Sequence, residues 1–162
     1  MISFLLVTVS LSPFFILLGV RSIRDPKNVD RIVVYFRFIY SYLFGMKYRL
    51  LGSEKSRDLV LGNGNEPYII VANHQSGIDF IMMATLWPKN CTSLAKKSLL
   101  YTTGPYGILC WLCGTEFVSR GNSSDVKQRM ADLIKNISKY KYRVWVFPEG
   151  TRHVGSEMLP FK

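Results

Sequence analysis

The hydrophobic positions divide the chain into an apolar N-terminal part and a longer part with mixed patterning. Residues 2–20 carry no charged side chain and come close to the ~20 apolar residues that a membrane-spanning helix needs. A cleaved signal peptide is the alternative, but no basic region precedes this run. A second apolar stretch, residues 32–46, is shorter and is interrupted by Arg37, so it is expected to lie in the membrane interface or to complete a short helical hairpin. Residues 1–46 are therefore predicted to be a helical membrane-anchoring region.

From residue 47 to residue 162 short apolar runs alternate with helical patterns. The apolar runs predict strands at residues 47–52, 68–72, 91–95, 115–119 and 143–147. Residues 125–138 have the spacing of an amphipathic helix, and the long apolar segment 99–118 is expected to be a buried helix or a membrane-contacting surface. The alternation predicts one α/β domain over residues 47–162.

The net charge narrows the choice of partners. The chain has 21 Lys and Arg against 11 Asp and Glu, a formal charge of +10, which favours anionic partners such as nucleic acid, an acidic membrane surface or a phosphate. No RNA-binding aromatic motif, zinc-finger spacing or helix-turn-helix pattern is present. A membrane surface and a phosphate-bearing substrate therefore remain, and no nucleic-acid partner is expected.

The cysteines and histidines do not indicate a metal site. Cys110 and Cys113 form a CxxC pair inside an apolar run without a second ligand pair, and His74 and His153 are the two histidines of the chain. Together with Cys91 these cysteines are interpreted as small buried hydrophobic residues. The prediction is that the protein holds no metal.

The segment "NHQSGID", residues 73–79, follows a predicted strand and supports two interpretations. Ser76 and Asp79 have the [ST]xx[DE] spacing of a helix capping box, which is the structural explanation of Asp79. The chemical explanation is that the turn brings His74 back to Asp79, so that the carboxylate orients an imidazole acting as a general base. The attacking group could then be a substrate hydroxyl, without a serine or cysteine nucleophile.

The segment "VFPEGTR", residues 146–152, has the same form, a strand that ends in a polar turn. Pro-Glu-Gly is by itself a good turn, but Gly150 would also allow a substrate to approach the backbone, Thr151 could donate a hydrogen bond and Arg152 could grip a phosphate. Lys96, Lys97 and Arg120 also follow predicted strands, although each would ordinarily be a solvated cation. Because ligands of α/β sheets bind near strand ends, a phosphate pocket beside a His-Asp base is the simplest joint interpretation.

Taken together, "NHQSGID", "GTEFVSR" and "VFPEGTR" resemble, in this order, the HxxxxD, GxxFxxR and FPEGTR blocks of the glycerolipid acyltransferase family. "AKKSLL" and "LPFK" are similar to the branch that acylates lysophosphatidic acid. The resemblance implies that His74 is the general base and that Asp79 orients it. It assigns acceptor binding to the substrate-binding residues Glu149, Gly150, Thr151 and Arg152, a cationic role to Arg120, and a phosphate contact to Lys96.

The resemblance also implies the reaction and its setting. The sn-2 hydroxyl of lysophosphatidic acid would attack the thioester of acyl-CoA, giving phosphatidic acid, with acyl-CoA as co-substrate and no other cofactor. Glycerol 3-phosphate or another lysophospholipid is the alternative acceptor. The expected fold is a partial glycerolipid-acyltransferase-type sheet with helices, preceded by an N-terminal membrane-associated helical segment, in a membrane such as the endoplasmic reticulum.

The family continues past "LPFK", so an incomplete domain with an exposed strand edge is also expected. A catalytically inactive membrane-bound fragment, or one that pairs with a complete homologue, is the non-enzymatic alternative.

Overall fold

The computed structural model of the chain describes residues 22–61, 66–77, 79–119, 123–155 and 157–161. The described part is a mixed α/β structure, which confirms the α/β part of the predicted fold class. The N-terminal half contains α1 (Lys27–Phe38), a π-helical turn (Ile39–Leu43), α2 (Glu54–Leu61), β1 (Ile69–Val71) and α3 (Asp79–Leu86). It is followed by β2 (Cys91–Lys96), α4 (Lys97–Thr102), α5 (Pro105–Leu112), β3 (Glu116–Val118), α6 (Ser123–Tyr140) and β4 (Arg143–Val146).

The four strands form one parallel sheet in the order β1-β4-β2-β3. The last strand along the chain inserts between β1 and β2, with Val71 of β1 opposite Val146 of β4. Because all strands run in the same direction, their carboxyl ends meet at one edge of the sheet. The loops that follow β1 and β4 therefore leave the sheet side by side.

The main core lies between α1 and α5. Val29, Ile32, Val33 and Phe36 occupy one face of α1, at the i, i+3, i+4, i+7 spacing of an amphipathic helix, and pack with Leu109 of α5. The opposite face of α1 is exposed and includes apolar and aromatic side chains. Part of the segment predicted to lie in a membrane interface thus packs against protein, and its contact with lipid stays a prediction.

The predicted membrane segment, residues 2–20, lies outside the described residues. Among the helices that the structure does describe, none combines the length and the apolar character needed to cross a membrane. The predicted boundary between residues 46 and 47 also stays a prediction.

Two predictions about local structure need correction. The strand predicted at residues 47–52 is wrong, because residues 46–51 are irregular and are flanked by Gly45 and Gly52 with φ of 60° and 136°. The long apolar segment 99–118 is not one helix, because α4 ends at Thr102 and Gly104, with a φ of 57°, precedes the start of α5 at Pro105. Its last residues form β3, so a single apolar run supplies two helices and a strand.

The outer strand β1 exposes two apolar side chains. Ile69 and Val71 are 60% and 62% exposed, although both alternate with the half-buried Ile70 in the way a strand requires. An exposed strand edge was expected from the resemblance, and β1 lies at the end of the described sheet.

Candidate active site

The two polar loops that the sequence indicated lie next to each other in the structure. Ala72 donates its backbone N–H to the carbonyl of Val146 at 3.1 Å, so the β1–β4 pairing extends to the start of the first loop. One residue beyond the next loop's motif, His153 donates its backbone N–H to the carbonyl of His74 at 2.8 Å. A hydrogen bond therefore joins the loops at the histidine itself.

His74 and Asp79 are in direct contact within the first loop. Nδ1 of His74 lies 2.8 Å from Oδ2 of Asp79, and both side chains are 24% exposed. The same Oδ2 accepts the backbone N–H groups of Gln75 at 2.8 Å and Ser76 at 2.9 Å. One carboxylate oxygen thus orients the imidazole and stabilises the loop that carries it.

The contact with His74 agrees with the chemical interpretation of Asp79, whereas the capping box is present only in part. The carboxylate accepts the Ser76 N–H as in a capping box, but α3 begins at Asp79, so Ser76 lies three residues before the helix and is not its N-cap. The helix start fixes the carboxylate, and the carboxylate then fixes the ring of His74. The contact that the sequence predicted is therefore present.

The protonation state of Asp79 determines which nitrogen of His74 is available. Partial burial acts to raise the pKa of Asp79, but hydrogen bonds from the Ser76 amide, the His74 ring and the Gln75 amide outweigh it, so the pKa is lowered. An ionised carboxylate only accepts hydrogen bonds, and Nδ1 must therefore carry the proton. In the neutral ring the lone pair is then on Nε2, the nitrogen that can take a proton from a substrate.

Phe147 completes the surroundings of His74. The two rings stack with centroids 4.3 Å apart and planes inclined by 23°. Phe147 comes directly after β4, and its carbonyl accepts the backbone N–H of Gly150 at 2.9 Å. The imidazole is held at one side by a carboxylate and at its face by an aromatic ring. Sequence reasoning missed this contact, and its available signal was the aromatic residue at the end of β4.

The four acceptor-motif residues have different environments. Gly150 has a φ of 62°, a conformation in which glycine carries no steric penalty, and Thr151 and Arg152 are exposed. A Cβ built on Gly77 would lie 3.4 Å from Nη1 of Arg152, so the guanidinium lies beside the His74 loop. Glu149, in contrast, is only 3% exposed, and its Oε2 accepts the backbone N–H of Leu159 at 3.1 Å.

The structure places one further predicted cation at the same edge of the sheet. Lys96 ends β2 and is exposed, with the extended backbone (φ −66°, ψ 133°) from which α4 starts. Because β2 neighbours β4, Lys96 belongs to the edge that carries the two loops. Arg120 lies outside the described residues, and its role stays a prediction.

The cysteine thiols have environments that disfavour ionisation. Burial raises the pKa of Cys110 to about 11 and also raises the pKa of Cys91 and Cys113. The thiols are therefore protonated at neutral pH and are poor nucleophiles. Within the described ranges no group of three or more His, Cys, Asp or Glu side chains could hold a metal ion.

A cavity of about 500 Å³ lies away from this chemistry, at the amino ends of the strands. It is bounded by α6 and by residues that precede or begin β2, β3 and β4, including Thr92, Gly114 and Tyr142. His74, Asp79 and residues 149–152 do not line it. The reactive groups instead lie on the open edge at the carboxyl ends of the strands.

Comparison with known proteins identifies relatives of the chain. The sequence model of a family described as Acyltransferase matches residues 47–162. The chain is 36% identical over 142 residues to human 1-acyl-sn-glycerol-3-phosphate acyltransferase alpha, covering 88% of the chain and 46% of the relative. It is 37% identical over 130 residues to the Saccharomyces cerevisiae 1-acyl-sn-glycerol-3-phosphate acyltransferase (78% and 40%).

A bacterial relative shows the same similarity. The 1-acyl-sn-glycerol-3-phosphate acyltransferase of Haemophilus influenzae is 32% identical over 143 residues, covering 86% of the chain and 55% of the relative. The chain thus spans about half the length of these curated relatives. No solved structure gives a significant match.

Proposed function

The chain belongs to the Acyltransferase family, and we propose that it transfers an acyl group from acyl-CoA to the sn-2 hydroxyl of lysophosphatidic acid, giving phosphatidic acid. The observation that carries the proposal is the His74–Asp79 contact of 2.8 Å, which leaves Nε2 of the imidazole as the basic atom. The names of the curated relatives support this acceptor, since each is a 1-acyl-sn-glycerol-3-phosphate acyltransferase.

The reaction needs one base and no covalent enzyme intermediate. Nε2 of His74 takes the proton of the acceptor hydroxyl while the hydroxyl oxygen attacks the thioester carbonyl carbon of acyl-CoA. Collapse of the tetrahedral intermediate breaks the carbon–sulfur bond and expels the CoA thiolate, which receives the proton from the imidazolium. Asp79 keeps the proton on Nδ1 and stabilises the positive charge that the ring carries between the two transfers.

The phosphate of the acceptor would bind to the positively charged residues of the site. Arg152 presents a planar guanidinium beside the His74 loop, a geometry suited to two hydrogen bonds with a phosphate. Lys96 at the end of β2 adds a second positive charge, and Arg120 is proposed as a third. Gly150 and Thr151 precede Arg152 in the same loop and would contact the glycerol part of the acceptor.

The setting of the reaction belongs to the same proposal. The acceptor and the product are lipids, and the uncharged residues 2–20 together with the net charge of +10 fit an anionic bilayer surface, with the endoplasmic reticulum membrane as the location. Acyl-CoA is the co-substrate, and no other cofactor takes part. A second acyltransferase chain would pair with this one through β1, where Ile69 and Val71 are exposed.

The test is transfer of labelled acyl from acyl-CoA to lysophosphatidic acid by membranes that contain the 162-residue chain. His74→Ala should abolish transfer, whereas His153→Ala, which keeps the backbone N–H bonded to His74, should retain most of it. Glycerol 3-phosphate and lysophosphatidylcholine, assayed in parallel, identify the acceptor. Equal transfer by the wild-type chain and by His74→Ala would reject the proposed mechanism.

A further inference from the structure

Glu149 stands in the acceptor-binding motif, but its side chain is not placed to meet an acceptor. The residue is 3% exposed, and Oε2 accepts the backbone N–H of Leu159 at 3.1 Å, ten residues further along the chain. A contact with lysophosphatidic acid would also bring a carboxylate toward a phosphate, and two negative charges at short range repel each other. Burial and charge both argue against direct contact with the substrate.

The Leu159 bond closes a loop whose other fixed points lie in the active site. At the start of the loop, Gly150 donates its N–H to the carbonyl of Phe147 at 2.9 Å. Three residues later, His153 donates its N–H to the carbonyl of His74 at 2.8 Å. Arg152 lies between these two attachments, and its side chain passes Gly77.

The position of Arg152 relative to the base therefore depends on how firmly this loop is held. Thr151 and Arg152 are exposed, so burial of their side chains contributes little to holding the loop backbone. The buried Glu149 carboxylate accepts a hydrogen bond that joins the start of the loop to the 157–161 segment. A hydrogen bond to a charged acceptor is among the stronger bonds available for this task.

We propose that Glu149 is a positioning residue, whose carboxylate ties the Leu159 amide to the acceptor-binding loop and so sets the distance between the phosphate-binding Arg152 and the base His74. This proposal rests on the proposed function for the identity of the substrate. It assigns the effect of Glu149 on the reaction to loop geometry and not to a contact with lysophosphatidic acid.

Two substitutions at Glu149 separate the alternatives. Glu149→Gln keeps an oxygen that can accept the Leu159 N–H, whereas Glu149→Ala removes it. For a positioning residue, kcat/KM for lysophosphatidic acid should stay within about threefold of wild type in the glutamine variant and fall at least about tenfold in the alanine variant. Equal losses in both variants, with the Leu159 amide still protected from hydrogen exchange, would overturn the proposal in favour of a direct role of the charge.

A substitution at the other end of the bond provides an independent control. Leu159→Pro removes the N–H donor and leaves the Glu149 carboxylate unchanged. If both residues act through one hydrogen bond, the double variant Glu149→Ala, Leu159→Pro should be as active as the less active of the two single variants. Additive losses, or wild-type activity of Leu159→Pro, would contradict the proposal.

Hydrogen exchange of the Leu159 amide, measured on the full chain, does not require turnover. It should be protected in the wild type and in Glu149→Gln, and should exchange faster in Glu149→Ala. Unchanged protection in the alanine variant would overturn the proposed attachment whatever the activity. Faster exchange in that variant, combined with an inactive wild-type chain, would reject the proposed function and support the attachment.

Discussion

Replacing Asp79 by asparagine tests the central pair with the smallest change of shape. In the wild type one carboxylate oxygen accepts hydrogen bonds from the His74 ring and from the amides of Gln75 and Ser76. Asparagine keeps one oxygen that can accept these hydrogen bonds, but they weaken because the acceptor no longer carries a charge. Gln75 is exposed and Ser76 half-buried, so water can also bond these amides and the cost should lie near ~1 kcal/mol. A domain with a stability of ~5–15 kcal/mol stays folded after such a loss.

The effect on the reaction should be much larger than the effect on stability. Without the charge, the imidazolium of His74 loses its stabilising partner, and the amide group of asparagine can bind the wrong tautomer of the ring. Losses of general base and orienting residues reduce rates by roughly 10²- to 10⁴-fold, which corresponds to about 3–5 kcal/mol of activation free energy. The activity loss therefore exceeds what partial unfolding could produce.

The assay combines acyl transfer to lysophosphatidic acid with thermal unfolding followed by circular dichroism. Asp132→Asn is a matched control, because Asp132 is exposed on α6 and bonds the side chain of Gln128 one helical turn away. It should keep the wild-type rate. A rate for Asp79→Asn within about threefold of wild type would refute the reasoning, since loss of the imidazolium's partner must be visible in the rate.

The same substitution predicts a change in the pH dependence of stability. Folding lowers the pKa of Asp79 below its unfolded value of 3.8, because hydrogen bonds from Ser76, His74 and Gln75 outweigh the effect of burial. The ionised group therefore stabilises the folded chain above pH 3.8, and this contribution is lost as the pH falls through the folded pKa. The difference in stability between wild type and Asp79→Asn should shrink as the pH falls below 3.8, because protonation removes the charge that the asparagine variant lacks at every pH. A difference that grows below this pH would contradict this sign.

Three further substitutions follow from individual contacts. Phe147→Leu removes the ring stacked on His74, and kcat should fall about tenfold or less, with a ring-current change at the imidazole protons measured by NMR. Arg152→Gln removes the guanidinium proposed to hold the acceptor phosphate, so the KM for lysophosphatidic acid should rise about tenfold or more, while Arg152→Lys recovers only part of the loss. Gly107→Ala would place a Cβ 2.8 Å from the carbonyl carbon of Leu100, and thermal unfolding should show a loss of ~1–3 kcal/mol.

For each of these substitutions, one experimental result would contradict the prediction. Phe147→Tyr keeps an aromatic ring and serves as the control for Phe147→Leu, and equal losses in both variants would show that the ring contact is not the cause. An unchanged KM in Arg152→Gln would remove that residue from the acceptor site. Wild-type stability of Gly107→Ala would mean that α4 and α5 can move apart at little cost.

Local sequence determined the elements and the loop that holds the base. Short apolar runs followed by turn residues are sufficient to mark β1 and β4, because strand formation and turn formation depend on neighbouring residues. His74 and Asp79 lie five residues apart within one loop, so their contact follows from a single turn and could be predicted. The same local reasoning was wrong for residues 47–52, where the apolar pattern is present but the segment does not join the sheet.

Tertiary structure decided which loops meet and which motif side chains face outward. The neighbouring positions of the His74 and Arg152 loops depend on the pairing of β1 with β4, strands about 75 residues apart in the chain, as in the pair Ile69 and Val144. The burial of Glu149 and the stacking of Phe147 depend on that pairing and on the return of the 157–161 segment. A sequence motif shows which chemical groups are near each other along the chain, but hydrogen bonding and packing between distant segments determine which of those groups can reach a substrate.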